Sequence, residues 1–171
     1  MNANTIVQGS EDLKLRMWDC RDSSIEAAAT LTGYVYFPLC IDVVTDENYV
    51  CTGSKGFDGV GCELRVWDMR STKECVSILS GHRQSVVGCR FLNGSKNSIV
   101  SVSKDQTLKV WDVDRNCIAV DELGHTGSQF TCVSVLDGVV CAGAANGYSQ
   151  YEYDGEKASM EHVRTYGRIG E

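Results

Sequence analysis

Short apolar stretches separated by turn residues run the length of the chain. In the clearest set, Val86 to Phe91, Ile99 to Ser103 and Leu108 to Trp111 are rich in β-branched or aromatic residues and are bounded by Gly, Ser, Asn, Asp and Lys. That pattern predicts brief strands joined by tight turns. Side chains alternate across a strand, so Leu108 and Val110 share one face and Trp111 takes the other. Leu15, Met17 and Trp18 repeat the arrangement, as do Leu64, Val66 and Trp67. A sheet with apolar bulk on both faces must be covered on both sides.

The stretches recur at a fixed period. Met17-Trp18-Asp19, Val66-Trp67-Asp68, Val110-Trp111-Asp112 and Glu152-Tyr153-Asp154 stand 49, 44 and 42 residues apart. Ile6 to Asp19 laid over Ile99 to Asp112 without a gap matches at seven of fourteen positions. A period in the forties with a Trp-Asp ending resembles the WD-repeat family of β-propellers, in which each repeat is one four-stranded blade.

The resemblance implies an all-β fold, a partial WD-repeat β-propeller of about four blades of four-stranded antiparallel sheet. The expected blades are an incomplete first over residues 5–31, then 32–79, 80–121 and 122–166. Propellers of this family usually close with about seven blades, so the chain is expected to be the C-terminal part of a larger ring. Ile6 already aligns with a second strand, and Ser159 to Tyr166 is expected to give the last blade its outer strand. Each terminal blade is expected to expose an apolar face, and self-association through these open edges follows.

Composition narrows the function. With 171 residues, 43% of them hydrophobic, the chain can bury roughly 70% of its unfolded surface in a real core. The formal net charge of -7 works against a phosphate backbone, which needs clustered Lys and Arg, so no nucleic-acid partner is expected. The longest uncharged run, Ala27 to Ile41, has 15 residues and falls short of the ~20 a membrane span needs. The N-terminus shows no charged region followed by an apolar one, hence no export signal, and a cytoplasmic location is expected. Nine Cys are present, none closer than nine residues to the next. No Cys-x-x-Cys pair exists for zinc, and the thiols are expected to be small buried hydrophobes. No metal or cofactor is expected.

His82, Ser101 and Asp105 invite a nucleophile, base and acid reading, with Cys89 as an alternative nucleophile. The family resemblance implies another role. A His after Gly, a Ser in the second strand, an Asp in the following turn and the Trp of the third strand form a hydrogen-bonded structural tetrad, here His82, Ser101, Asp105 and Trp111. The other repeats are less complete: Gln8 stands for the Ser in the first, Tyr34 for the His in the second. The fourth keeps His125 but has Ala142 and Asn146. Only the third blade is expected to be fully locked, and no catalytic residue is expected.

Function in such a scaffold belongs to the loops at its rims. The turn between Ser54 and Leu64 is five residues longer than its match in the third repeat and should share a rim with His82 and Tyr34. Phe57 beside Asp58 suits an anchor with a polar partner; a lengthened hairpin with Phe57 tucked against its neighbour is the other reading. Arg83 and Lys104 complete the partner-binding candidates there, with Tyr34. Asp58 and Glu63 are too few for a calcium cage.

Trp18-Asp19-Cys20-Arg21 and Trp67-Asp68-Met69-Arg70 both read Trp-Asp-x-Arg. This is similar to the box of WD-repeat substrate receptors of cullin-based ubiquitin ligases, which makes Arg21 and Arg70 candidates for adaptor contact. Within the family, Gly61-Cys62-Glu63 leading into Val66-Trp67-Asp68-Met69-Arg70 is similar to a group linked to cilia and implies a regulatory scaffold in ciliary traffic. The expectation is a non-catalytic scaffold for other proteins, with the ligase receptor as its alternative.

Overall fold

The computed structural model describes residues 4–115, 119–124, 128–157 and 159–167. The regular elements in them are strands, grouped into four antiparallel sheets that each follow chain order. The first blade holds β1 (Thr5–Ser10), β2 (Lys14–Asp19) and β3 (Ala29–Leu31). The second holds β4 (Pro38–Val44), β5 (Tyr49–Ser54), β6 (Glu63–Asp68) and β7 (Ser77–Ser80). The third holds β8 (Val86–Phe91), β9 (Ser98–Ser103), β10 (Thr107–Asp112) and β11 (Ala119–Gly124). The fourth holds β12 (Phe130–Leu136), β13 (Val139–Ala144), β14 (Gly147–Asp154) and β15 (Ser159–Gly167). This is a partial β-propeller.

Register explains two departures from the sequence reading. The third blade does not end at residue 121, because β11 stays paired with β10 through Lys109 opposite Glu122 and Thr107 opposite Gly124. In the first three blades Trp18, Trp67 and Trp111 face Ile6, Val50 and Ile99. Two residues further on, the amides of Cys20, Met69 and Val113 donate to the carbonyls of Asn4, Asn48 and Asn97. In the fourth blade that amide is Tyr153, donating to Gly138 at 2.9 Å, and the residue opposite Val140 is Tyr151. Tyr151 therefore fills the Trp position, not Tyr153. β14 has 8 residues against 6 in β10, and its register against β15 shifts between Gln150, which faces Arg164, and Tyr151, which faces His162, so that Val163 of β15 is the bulged residue.

The core lies between blades, as sheets apolar on both faces require. Leu15, Leu31, Val50 and Trp67 pack between the first and second blades; Cys51, Val66, Ile99 and Trp111 between the second and third; Val100, Val110, Phe130, Val140 and Tyr151 between the third and fourth. Val66 and Trp67, neighbours in β6, thus serve different seams. Fully burying side chains of this size contributes about 1.5–3 kcal/mol each. The outward faces are mixed rather than uniformly apolar. Gln8 and Ile6 are exposed on the first blade. On the fourth, alternation turns Gln150 and Glu152 away from the seam that Tyr151 fills.

Strand direction alternates, so the β5–β6 and β9–β10 turns share one rim with the connections between blades. The β4–β5, β6–β7 and equivalent turns share the opposite rim.

Candidate functional site

The third blade carries a chain of hydrogen bonds from its outer strands to the first rim. The Trp111 indole N–H donates to Ser101 Oγ at 2.8 Å. Ser101 Oγ lies 2.8 Å from His82 Nε2, and His82 Nδ1 lies 2.9 Å from Asp105 Oδ2. Asp105 also receives the Arg83 amide at 2.8 Å and the Thr107 hydroxyl at 2.7 Å. Burial alone would raise the Asp105 pKa; the hydrogen bonds from His82 and Thr107 outweigh it and hold the carboxyl well below the ordinary range. The order resembles a hydrolytic triad, but Ser101 and the His82 side chain are 0% exposed. Ser101 Oγ already accepts the indole N–H, so no substrate reaches it. Cys89 is likewise 0% exposed.

The second and first blades use substitutes at the positions where their sequences depart from the His and Ser pattern. The Trp67 indole N–H donates to Tyr34 Oη at 2.8 Å, and Tyr34 Oη lies 2.8 Å from Thr52 Oγ1. Tyr34 is therefore a buried lock, 6% exposed, and not a partner-binding rim residue. Burial pushes its hydroxyl up to about 12, against the pull of Thr52 and Trp67. In the first blade the Trp18 indole N–H donates to Gln8 Oε1 at 3.0 Å, so the longer amide reaches the place of the Ser. The fourth blade has buried Ala142 and Tyr151 at the Ser and Trp positions; His125 lies outside the described residues.

The long β5–β6 turn is fastened to the next blade. Phe57 and Val60 exchange backbone hydrogen bonds at 3.1 and 3.0 Å, and Phe57 makes a β-bridge with Gln84. The Gly59 amide donates to the Arg83 carbonyl at 3.0 Å. Ser85 Oγ donates to the Gly56 carbonyl at 3.0 Å and receives the Gly56 amide at 3.3 Å. The turn closes on itself through Asp58 and Gly59, both at positive φ. So held, Phe57 and Val60 are 69% and 57% exposed: the anchor geometry is present and the tucked one is not. Tyr36 extends the apolar patch, its ring seated against Gly61 where a Cβ would come within 2.5 Å. Arg83, Lys104, Lys55 and Asp58 are exposed around it. Sequence reasoning missed Val60, Tyr36 and Lys55. The turn is held by Gly56 to Ser85 of another blade, a contact for which the sequence carries no local signal.

On the opposite rim Arg21 and Arg70 lie folded onto the Asp of their own motif. Arg21 Nε and Nη2 donate to Asp19 at 2.9 and 2.6 Å, and Arg70 makes the same pair with Asp68 at 2.9 and 2.7 Å. Hydrogen bonding from these Arg side chains lowers both carboxyls to about 2. Arg115 with Asp112 and Lys157 with Asp154 repeat the ion pair in the next two blades. The pair is thus a feature of all four turns, with the cation 63%, 61%, 74% and 76% exposed in blade order.

Three thiols meet between the second and third blades, Cys40 to Cys89 at 3.5 Å and Cys51 to Cys89 at 3.6 Å. All are free. Among the described residues no group of three His, Cys, Asp or Glu is arranged to hold a metal ion, and no helix is long and apolar enough to cross a membrane.

Comparison with known proteins agrees with this architecture. The family described as "WD domain, G-beta repeat" matches residues 73–112. The nuclear distribution protein nudF of Aspergillus niger is 30% identical over 117 residues, 68% of this chain and 25% of that protein. The E3 ubiquitin-protein ligase COP1 of Arabidopsis thaliana is 29% identical over 128 residues, 72% of this chain and 17% of its own. The F-box/WD repeat-containing protein sel-10 of Caenorhabditis elegans is 26% identical over 143 residues, 80% and 23% of the two chains. The chain spans only about a quarter or less of these relatives.

Proposed function

Because the chain belongs to the WD-repeat family, we propose that it is a non-catalytic scaffold which holds protein partners on the rim formed by the β5–β6 turn and its neighbours. One observation carries this reading: the turn is fastened across two blades by backbone hydrogen bonds while Phe57 and Val60 stay exposed. Rigid apolar side chains on a fixed backbone lose little entropy on binding and serve as anchors. The sealed His82, Ser101 and Asp105 chain supports the absence of a catalytic role in these repeats.

A photo-crosslinking residue placed at position 57 tests the reading, with one at Arg115 on the opposite rim as control. The scaffold reading expects specific protein adducts at 57 that compete with untagged chain. Equal labelling at both positions refutes it.

The alternative, a substrate receptor of a cullin-based ubiquitin ligase, is supported by the exposed Arg21 and Arg70 and by the similarity to COP1 and sel-10. It expects Arg21→Ala with Arg70→Ala to abolish capture of the ligase adaptor; undiminished capture removes it. The setting that goes with the scaffold is the cytoplasm and ciliary traffic, supported by the Gly61 to Arg70 similarity. A fluorescent fusion that is excluded from cilia and their bases removes that setting. Self-association through the outward blade faces belongs to the same reading, and light scattering that returns a monomer of 18.7 kDa removes it.

A further inference from the structure

The rim around the long turn has a charge opposite to that of the chain as a whole. The molecule carries -7, yet Lys55, Arg83 and Lys104 stand exposed about the β5–β6 turn, and among the described residues none has a carboxylate partner. Their places are fixed by the backbone. The Arg83 amide is tied to Asp105 and its carbonyl to Gly59; the Lys104 amide donates to the Ser85 carbonyl at 3.0 Å, and the Lys55 amide to the Phe37 carbonyl at 2.9 Å. The nearby carboxylates are already engaged, Asp105 by His82 and Glu63 by Arg65 at 2.7 Å. Among the described residues of the turn, Asp58 alone is an exposed carboxylate without such a pairing.

Within this basic ring lie Phe57 and Val60, with Tyr36 beside them against Gly61. The turns of the opposite rim mix the two signs instead: exposed Asp46, Asp114 and Asp137 stand among Arg21, Arg70, Arg115 and Lys157, each of which is already paired with an Asp. Resting on the scaffold reading, we propose that the partner held at the long turn is an acidic protein segment with an apolar anchor. Its aliphatic or aromatic side chain covers Phe57 and Val60 while its carboxylates pair with Lys55, Arg83 and Lys104. Opposite potentials at close range select partner and register more than they add affinity. The exposed apolar pair at the centre favours a protein segment over a nucleic acid, whose phosphates would leave Phe57 and Val60 uncovered.

Fluorescence anisotropy on the full chain tests this with a short labelled peptide whose central Leu-Phe pair is flanked by Glu and Asp. Binding should weaken about tenfold or more in Phe57→Ser and in the triple variant Lys55→Glu, Arg83→Glu, Lys104→Glu. It should also weaken as salt rises. The four substituted side chains are exposed, so both variants should melt with the native chain, and that scan is run alongside. Stronger binding of a peptide with Lys in place of the acids, or of a single-stranded oligonucleotide, overturns the proposal. So does acidic-peptide binding that ignores the triple variant. Crosslinking at position 57 without acidic-peptide binding refutes the partner class and leaves the scaffold reading in place; failure of both refutes both.

Discussion

The indole N–H of Trp67 ends on the hydroxyl of Tyr34, 2.8 Å away, in the place that the Trp111 and His82 chain fills one blade later. The two blades reach the same closure with different chemistry. Trp111 needs a Ser as intermediary to an imidazole, whereas Tyr34 reaches both Trp67 and Thr52 with one oxygen. Removing that oxygen in Tyr34→Phe leaves two buried polar groups without their partner, which costs about 1–3 kcal/mol. Urea unfolding with an unchanged midpoint would refute the role. Tyr34→His should recover only part of the loss, because Gly56 stands where Asp105 supports His82.

Asp105→Asn should destabilise the third blade by about 1–3 kcal/mol at neutral pH. The folded-state pKa of Asp105 is depressed, so its contribution is complete above the unfolded value of about 3.9 and is lost as pH falls through the folded one. Unfolding free energies at pH 7 and pH 3 should therefore differ less in the variant than in the native chain. Equal pH dependence in the two proteins contradicts the assignment.

Gly53 faces the second seam so closely that a Cβ there would sit 2.6 Å from both Cys40 Sγ and Val86 Cγ1. Gly53→Ala should overpack the seam and cost about 1–3 kcal/mol. Gly59→Ala is the useful contrast, since nothing lies within 4 Å of its Cβ and only the φ of +80° opposes it. That backbone strain costs about 1 kcal/mol, so the melting temperature should fall less than in Gly53→Ala.

Thiol reactivity should divide by blade seam. Cys20 and Cys132 are exposed and should react with iodoacetamide at neutral pH. Cys51 and Cys89 are fully buried. Burial pushes the Cys51 thiol up, and the Cys89 thiol is also held high within the cluster, so both should react only after denaturant is added. Peptide mapping that finds Cys89 alkylated in the native chain at the rate of Cys20 contradicts the packing of this seam.

The repeats were legible because the Trp-Asp period and the two-faced apolar strands are local signals, and they led to His82, Ser101, Asp105 and Trp111 by position. What escaped notice depends on distance across the fold. Tyr34 reads as a missing His, and its closure of the second blade rests on Thr52 and Trp67 lying within reach. Gln8 reads as a departure, yet one longer side chain brings its amide to Trp18. Tyr153 keeps the more familiar spacing before Asp, but pairing with β13 places Tyr151 at the seam. The Arg21 and Arg70 motif reads as particular to two repeats because Arg115 and Lys157 sit one residue later in their turns.

Among the described residues the blades otherwise meet through side chains, so each such seam is a contact that opens without breaking a strand ladder. The Phe57 and Gln84 bridge, with Gly56, Ser85, Gly59 and Arg83 around it, is a backbone buckle across one of them. In a linear array of repeats, stability is set by each unit and by its coupling to the next. A partner that grips this loop therefore loads two repeats at once, and its binding free energy reaches the seam directly. Occupancy of the rim would make the second and third blades exchange their amides and unfold as one unit.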